Sequence, residues 1–253
     1  MEYPFDALHA GIESQILNLP AGIPDSQAIR QAKSLPDSVE KFCALGKALS
    51  RQLRYREAVA AYTEGLNLEP ENLSLLRLRA GRYLTTLQSD PAIADFEKCL
   101  TLGAEKLDCL YRIGLAQYYA GRYEQAMEAF EGCMPLCDDE MGIAVLYWHT
   151  LSAVRTEKAP TLLKYYRPDM AAGHHTAYEK AMRVWSGTTP LAAALEMLER
   201  EEDDLEYGIT LFGLLWHPDC AERERLSQML LRRDGFWPSF AYLAAWKDWA
   251  GAQ

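Results

Sequence analysis

The first ten residues carry no lysine or arginine, and no stretch of the 253-residue chain comes near eighteen consecutive apolar residues. A secretory leader needs a basic start and then an apolar run of about seven or more, and a spanning helix needs about twenty apolar residues. Neither is present, so the expectation is a cytoplasmic protein. Basic residues are in deficit as well: 26 Lys and Arg stand against 36 Asp and Glu, a formal net charge of -10. Such a surface repels a phosphate backbone, which argues against nucleic acid as a partner.

Histidine is scarce, five in all, and His174-His175 is the only adjacent pair. No carboxylates or thiols are spaced around it as a metal site requires. The chain has no His-Glu-x-x-His, no phosphate-binding glycine loop and no Gly-x-Ser-x-Gly. No catalytic residue, metal ligand or cofactor is therefore expected. The acidic runs at Asp138-Asp139-Glu140 and at 201–204 read as solvated surface or helix-start charge. Six cysteines are present, with Cys133 and Cys137 one helical turn apart. Without an export signal they meet a reducing compartment, and they read as small buried apolar groups rather than disulfides.

What the chain does have is an internal period. Residues 39–72, 73–106 and 107–140 form three abutting windows of 34 residues. The fourth residue of each is bulky (Phe42, Leu76, Leu110), and the seventh is Leu45, Arg79 and Ile113. The eighth is small (Gly46, Ala80, Gly114) and the twentieth is Ala (Ala58, Ala92, Ala126). The twenty-fourth is aromatic (Tyr62, Phe96, Phe130), the twenty-seventh small (Gly65, Cys99, Cys133) and the thirtieth Leu (Leu68, Leu102, Leu136). Each window holds two amphipathic helices and a tight turn. The small residues let the helices approach, and the bulky ones fill the space toward the next pair. A single pair cannot bury its apolar face, so pairs must stack.

This pattern resembles the tetratricopeptide repeat family, and the Leu68-Glu69-Pro70 ending of the first window is close to that family's own. The second window departs from it with Arg79 for Leu and Ala104 for Pro. The resemblance implies an all-α superhelix of antiparallel helix pairs, about six in number, with N- and C-terminal capping helices. The expected organisation is capping helices over 1–38, three clear units over 39–140, and degenerate pairs with a closing helix over 141–253. The N-terminal helices are placed at 5–19 and 26–34. In the last third, helices are expected at 141–154, 159–166, 174–185, from Thr189-Pro190, at 204–216 with Gly208 in the small-residue place, at 220–232 behind an Asp219/Glu222 capping box, and at 237–249. The Trp185-Ser186-Gly187 turn and the helix start at 207–211 also resemble bacterial, lipid-anchored tetratricopeptide proteins. No lipid-attachment Cys lies near the N-terminus, so that location is not carried over.

In the family the first helices of successive pairs line a concave groove that holds a protein or peptide. The corresponding places here include Lys47 and Arg51, then Arg77, then Asp108, Tyr111 and Tyr118, then His149. Lys47, Arg51 and Arg77 predict a positive spot suited to an acidic segment. Tyr111, Tyr118 and Tyr119 predict an aromatic ledge beside it. One subset of the family grips acidic chaperone tails with a Lys/Asn carboxylate clamp. The places expected to hold Asn carry Lys47 and Leu78, so that partner is not implied. The function expected is a binding scaffold without catalysis. The alternative is a self-associating protein, or a regulatory subunit of an enzyme complex, using the aromatic C-terminal helix with Trp237, Phe240, Tyr242, Trp246 and Trp249.

Overall fold

Seven helices open on a side chain that accepts the backbone N–H three residues along: Ser26, Ser38, Asn72, Glu105, Asp138, Asp203 and Ser239. Each supplies an oxygen to a first-turn N–H that no intrahelical carbonyl reaches. The structure, a computed structural model, describes residues 24–251. Among them are thirteen α-helices and no strand. They are α1 (Gln27–Lys33), α2 (Val39–Arg51), α3 (Tyr55–Leu68), α4 (Leu73–Thr85), α5 (Ser89–Thr101), α6 (Lys106–Tyr119), α7 (Tyr123–Cys133), α8 (Asp139–Arg155), α9 (Thr176–Trp185), α10 (Leu191–Leu198), α11 (Asp204–Leu215), α12 (Arg223–Leu231) and α13 (Phe240–Gly251). The fold is an all-α stack of helix pairs. Its contacts divide the described residues into two units, 24–116 and 117–251.

Four of the reversals share one device. Leu53, Leu87, Gly121 and Glu157 take left-handed φ values of 59°, 56°, 74° and 57°. The N–H of the next residue then reaches back to a carbonyl five positions earlier. Arg54 donates to Leu49 at 3.0 Å, and Gln88 to Tyr83, Arg122 to Gln117 and Lys158 to Ala153 at 2.9 Å each. This closing bond satisfies a helix-end carbonyl, and at Leu53, Leu87 and Gly121 the next helix starts after only three residues. The first three left-handed residues are 34 apart and the fourth follows 36 later. The period therefore loosens after residue 140 without ending. Only Gly121 adopts this conformation freely; a residue with a Cβ costs roughly 1–2 kcal/mol there.

In the unit over 24–116, α1 packs on α2, α2 on α3, α3 on α4 and α4 on α5. The close approaches fall where the period places small residues. A Cβ on Gly46 would overlap the Tyr62 ring, and one on Gly65 would press into Leu75. Arg54, in the first turn, holds Glu57 with two nitrogens (2.7 and 2.5 Å) and Asp25, ahead of α1, with a third (2.6 Å). The expected helix at 26–34 is α1, whereas the one at 5–19 lies outside the described residues.

The second window's departure from the family has a structural partner. Arg79 reaches from α4 to α5 and clasps Asp95 through Nε and Nη2, both at 2.8 Å, while Nη1 donates to Thr63 at 3.1 Å. Both charged side chains are nearly enclosed. The same two places hold Leu45 and Ala61 in the first window and Ile113 and Ala129 in the third. An ion pair has replaced an apolar pair.

The unit over 117–251 stacks α7 on α8, α8 on α9, α9 on α11, and α13 on both α11 and α12, with α10 in lighter contact with α9 and α11. Several expectations change here. Residues 159–166 do not form an α-helix: Thr161–Tyr165 is a 3-10 helix behind Pro160. The capping box of Asp219 and Glu222 does not form, because 217–222 is a series of turns. Glu222 instead holds Arg225, and α12 starts at Arg223 without a side-chain cap bond. The small-residue place of α11 belongs to Gly213, where a Cβ would meet Tyr147 and Ala181; at Gly208 there is open space. The last helix starts at Phe240 rather than Trp237, with Ser239 Oγ accepting the Tyr242 N–H at 3.3 Å.

Removing one member of a buried ion pair costs more than removing both. Asp95→Ala is expected to destabilise the protein by about 3 kcal/mol. Arg79→Leu/Asp95→Ala, which writes in the other windows' pairing, is expected to recover most of that loss in a urea melt followed by circular dichroism. A double variant as unstable as the single one would show that the pair is irreplaceable.

Candidate functional site

The seven groove residues predicted from the windows fall in both units. Lys47, Arg51, Arg77, Asp108 and Tyr111 belong to the unit over 24–116, and Tyr118 and His149 to the other. Each group is described by itself.

In the first unit, Lys47 and Arg51 sit four apart on α2, on one face, and both are exposed. Neither makes an ion pair among the described residues. Arg77 of α4 donates to Asp108 of α6 at 2.8 Å, and Arg112 donates to the other oxygen of that carboxylate at 2.9 Å. Burial works against the charge on Asp108, yet the two guanidiniums hold it below the ordinary carboxylate range. The Arg77 side chain remains 56% exposed while Asp108 is 21% exposed. The bond shows that α4 and α6 present these two positions to one another, side by side. Tyr111 is turned inward and buried.

In the second unit the predicted ledge is core. Tyr118 is 3% exposed and Tyr119 2%. The Tyr118 ring meets Tyr123 and Trp148 edge-on, with centroids 5.1 Å apart in each case, and Phe212 of α11 at 6.4 Å. The Tyr119 hydroxyl donates to the Phe240 carbonyl at 2.9 Å. Arg155 stacks on Trp216 at 3.9 Å and on Tyr123 at 4.5 Å, and its Nη1 holds both oxygens of Asp248 at 2.8–2.9 Å. The face that the windows assign to a partner is thus occupied here by α11 and α13.

His149 is wholly buried in α8, with Nε2 3.4 Å from Glu131 Oε1 and 3.4 Å from Thr161 Oγ1. Burial pushes its pKa below the ordinary histidine value, and the nearby Glu131 only partly offsets this. The aromatic C-terminal helix also turns inward: Trp237, Tyr242 and Trp246 are buried, and the Tyr242 hydroxyl donates to the Leu231 carbonyl at 2.8 Å.

Chemistry-bearing clusters resolve into structural contacts. His174 and His175 gather on Glu140, whose carboxylate accepts the His174 N–H at 2.8 Å and whose carbonyl lies 2.8 Å from His175 Nδ1. Asp138 and Asp203, from the two acidic runs, are helix caps. Among the described residues no disulfide joins any of the six cysteines, and four of them are buried. Among the described residues no group of three His, Cys, Asp or Glu could hold a metal ion, and no helix is long and apolar enough to cross a membrane.

A buried neutral histidine lowers stability in acid, because the unfolded chain binds a proton that the folded chain refuses. The folded pKa lies below the unfolded value of about 6.5, so stability is expected to fall as pH drops from about 6.5 toward 5. His149→Gln is expected to flatten that part of the curve, read from urea melts at several pH values. An unchanged slope would assign it to other groups.

A family model for the tetratricopeptide repeat matches residues 107–136. The chain is 24% identical over 137 residues to small glutamine-rich tetratricopeptide repeat-containing protein 2 of Saccharomyces cerevisiae, covering 50% of this chain and 40% of that protein. It is 28% identical over 107 residues to the heat-shock protein cognate (HSC) co-chaperone sgt12 of Aspergillus fumigatus, covering 42% and 31%. It is 28% identical over 86 residues to the Hsp70-Hsp90 organizing protein of Triticum aestivum, covering 34% and 15%. The chain thus spans less than half the length of these eukaryotic relatives. The family model falls on the third window, so the chain carries a tetratricopeptide repeat there, and the same left-handed turn at 34-residue spacing extends the pattern through the two windows before it.

Proposed function

We propose that this protein is a binding adaptor that holds an acidic segment of another protein against the unit over 24–116, with no chemistry of its own. One observation carries the reading. Lys47 and Arg51 stand exposed on one face of α2, with no carboxylate paired to either among the described residues, in a chain of net charge -10. In the family arrangement this face adjoins those of α4 and α6. There Arg77 is more than half exposed, and its one carboxylate is shared with Arg112. A partner carboxylate would find two cations with no carboxylate partner among the described residues and a third that is half engaged.

Guanidinium and ammonium groups on a helix face attract carboxylates, and Arg takes them in a bidentate way. The similarity to proteins named as a co-chaperone and as an Hsp70-Hsp90 organizing protein supports a protein partner. It does not supply the clamp of the chaperone-tail subset, since Lys47 and Leu78 stand where Asn is expected. The partner proposed is therefore defined by its charge, in the cytoplasm.

The test is fluorescence anisotropy with a labelled Asp/Glu-rich peptide against the full chain. Lys47→Glu/Arg51→Glu is expected to weaken binding by about tenfold or more, each desolvated charge pair contributing on the order of 1–2 kcal/mol. An amide-blocked C-terminus on the peptide separates recognition of a terminus from recognition of side chains. Equal affinity of wild type and the double variant would remove the assignment.

A further inference from the structure

Helices α10 and α12 both lie against α11, and an open cleft of about 620 Å³ runs between them. Its floor is Tyr207 and Leu211 of α11. One wall is Leu191, Leu195 and Leu198 of α10; the other is Leu226 and Met229 of α12. Leu191 and Leu195 are only partly covered, and Met229 is 37% exposed. The chain has left an apolar trough between the two helices, with a thioether able to adapt its shape to what enters.

The rim is predominantly acidic. Glu196 and Glu199 stand on the α10 side, Asp219 and Glu222 on the α12 side, and all four are exposed. Arg225 is the only cation among the lining residues, and Glu222 already holds it. Glu199 has no ion-pair partner among the described residues. The Glu196 contact with Arg200 is 3.5 Å, on the open surface.

Size and charge together select an occupant. Walls of eight and nine helical residues are about 12–14 Å long at 1.5 Å per residue, the length of two to three helical turns. A helix laid in such a trough buries the side chains of one stripe and keeps the opposite face in water. An acidic or neutral helix would bring its flanks against four carboxylates. One with Lys or Arg on its flanks would neutralise them.

We propose that the cleft between α10 and α12 docks a basic amphipathic helix of a partner protein. Its apolar stripe rests on Leu195 and Met229, and its cations meet Glu196, Glu199 and Asp219. This surface is separate from the cationic face of α2, and it selects a partner segment of opposite charge. The proposal does not depend on the acidic-segment reading.

The experiment titrates the full chain with a fluorescent Leu/Lys helical peptide of roughly fourteen residues, about four turns. A scrambled peptide of the same composition serves as control. Wild type is expected to bind the helical peptide at least about tenfold more tightly than the scrambled one, with affinity falling as salt rises. Glu196→Lys/Glu199→Lys, and separately Met229→Glu, are expected to weaken binding by about tenfold. Glu69→Lys/Glu71→Lys, an equal charge change in the other unit, is expected to leave it within about twofold. Circular dichroism melts confirm that every variant is folded.

Several outcomes would overturn the proposal. They are no binding, equal binding of the scrambled peptide, or an equal loss in the Glu69/Glu71 control, which would reveal attraction to net charge alone. Two more would give the cleft to another occupant. One is displacement of the basic peptide by a peptide of residues 1–23; the other is a wild-type dimer in sedimentation that Met229→Glu dissociates.

Discussion

A helix pair of this kind exists only if the chain can reverse in three residues while its two helices remain in contact. The left-handed residue at each reversal meets the first condition and the glycine facing an aromatic ring meets the second. Two leucines, Leu53 and Leu87, a glycine, Gly121, and a glutamate, Glu157, share one backbone conformation and one closing hydrogen bond. The constraint therefore acts on the backbone and tolerates whatever side chain can be held there. Three non-glycine residues at a position that disfavours a Cβ indicate that pair packing outweighs the local strain.

The windows were legible because packing imposes residue size at fixed spacing, and size can be read in sequence. Ala58, Ala92 and Ala126, and Gly46 opposite Tyr62, are cases where only one class of side chain fits. Arg79 was legible as a departure but not as half of a pair. Its partner, Asp95, was visible sixteen residues on, where the other windows have Ala61 and Ala129. Comparing those columns together would have found it. The capping box failed for a different reason. Asp219 and Glu222 have the right spacing, but the turns around Pro218 delay the helix past both of them.

The candidate site was legible only where local position decides exposure. Lys47, Arg51 and Arg77 are outward because neighbouring turns of their own helices face in. Tyr118 and His149 follow the same positional rule, and both are buried. What buries Tyr118 includes Phe212, nearly a hundred residues later, and no spacing within a window encodes that contact. The same limit hid the cleft between α10 and α12, whose walls come from separate pairs. It also explains why Tyr242 and Trp246 of α13, whose aromatic load in sequence suggests an outward face, go into the core of its own unit, while Phe240 and Trp249 are partly covered.

The bond between Arg155 and Asp248 joins residues 93 apart, and that between Tyr119 and Phe240 joins residues 121 apart. In an ideal repeat array each pair touches only its neighbours, and the ends can fray while the middle persists. The unit over 24–116 has that local character, with each helix resting on the next. The unit over 117–251 is stitched from its first turn to its last helix, so it cannot lose α13 without uncovering Tyr118 and Tyr119 at the opposite end. Its ordering has to wait for the last helix to be synthesised, since the contacts that close it carry the highest sequence separation. Residues 24–116 can therefore take shape while the unit over 117–251 still lacks α13.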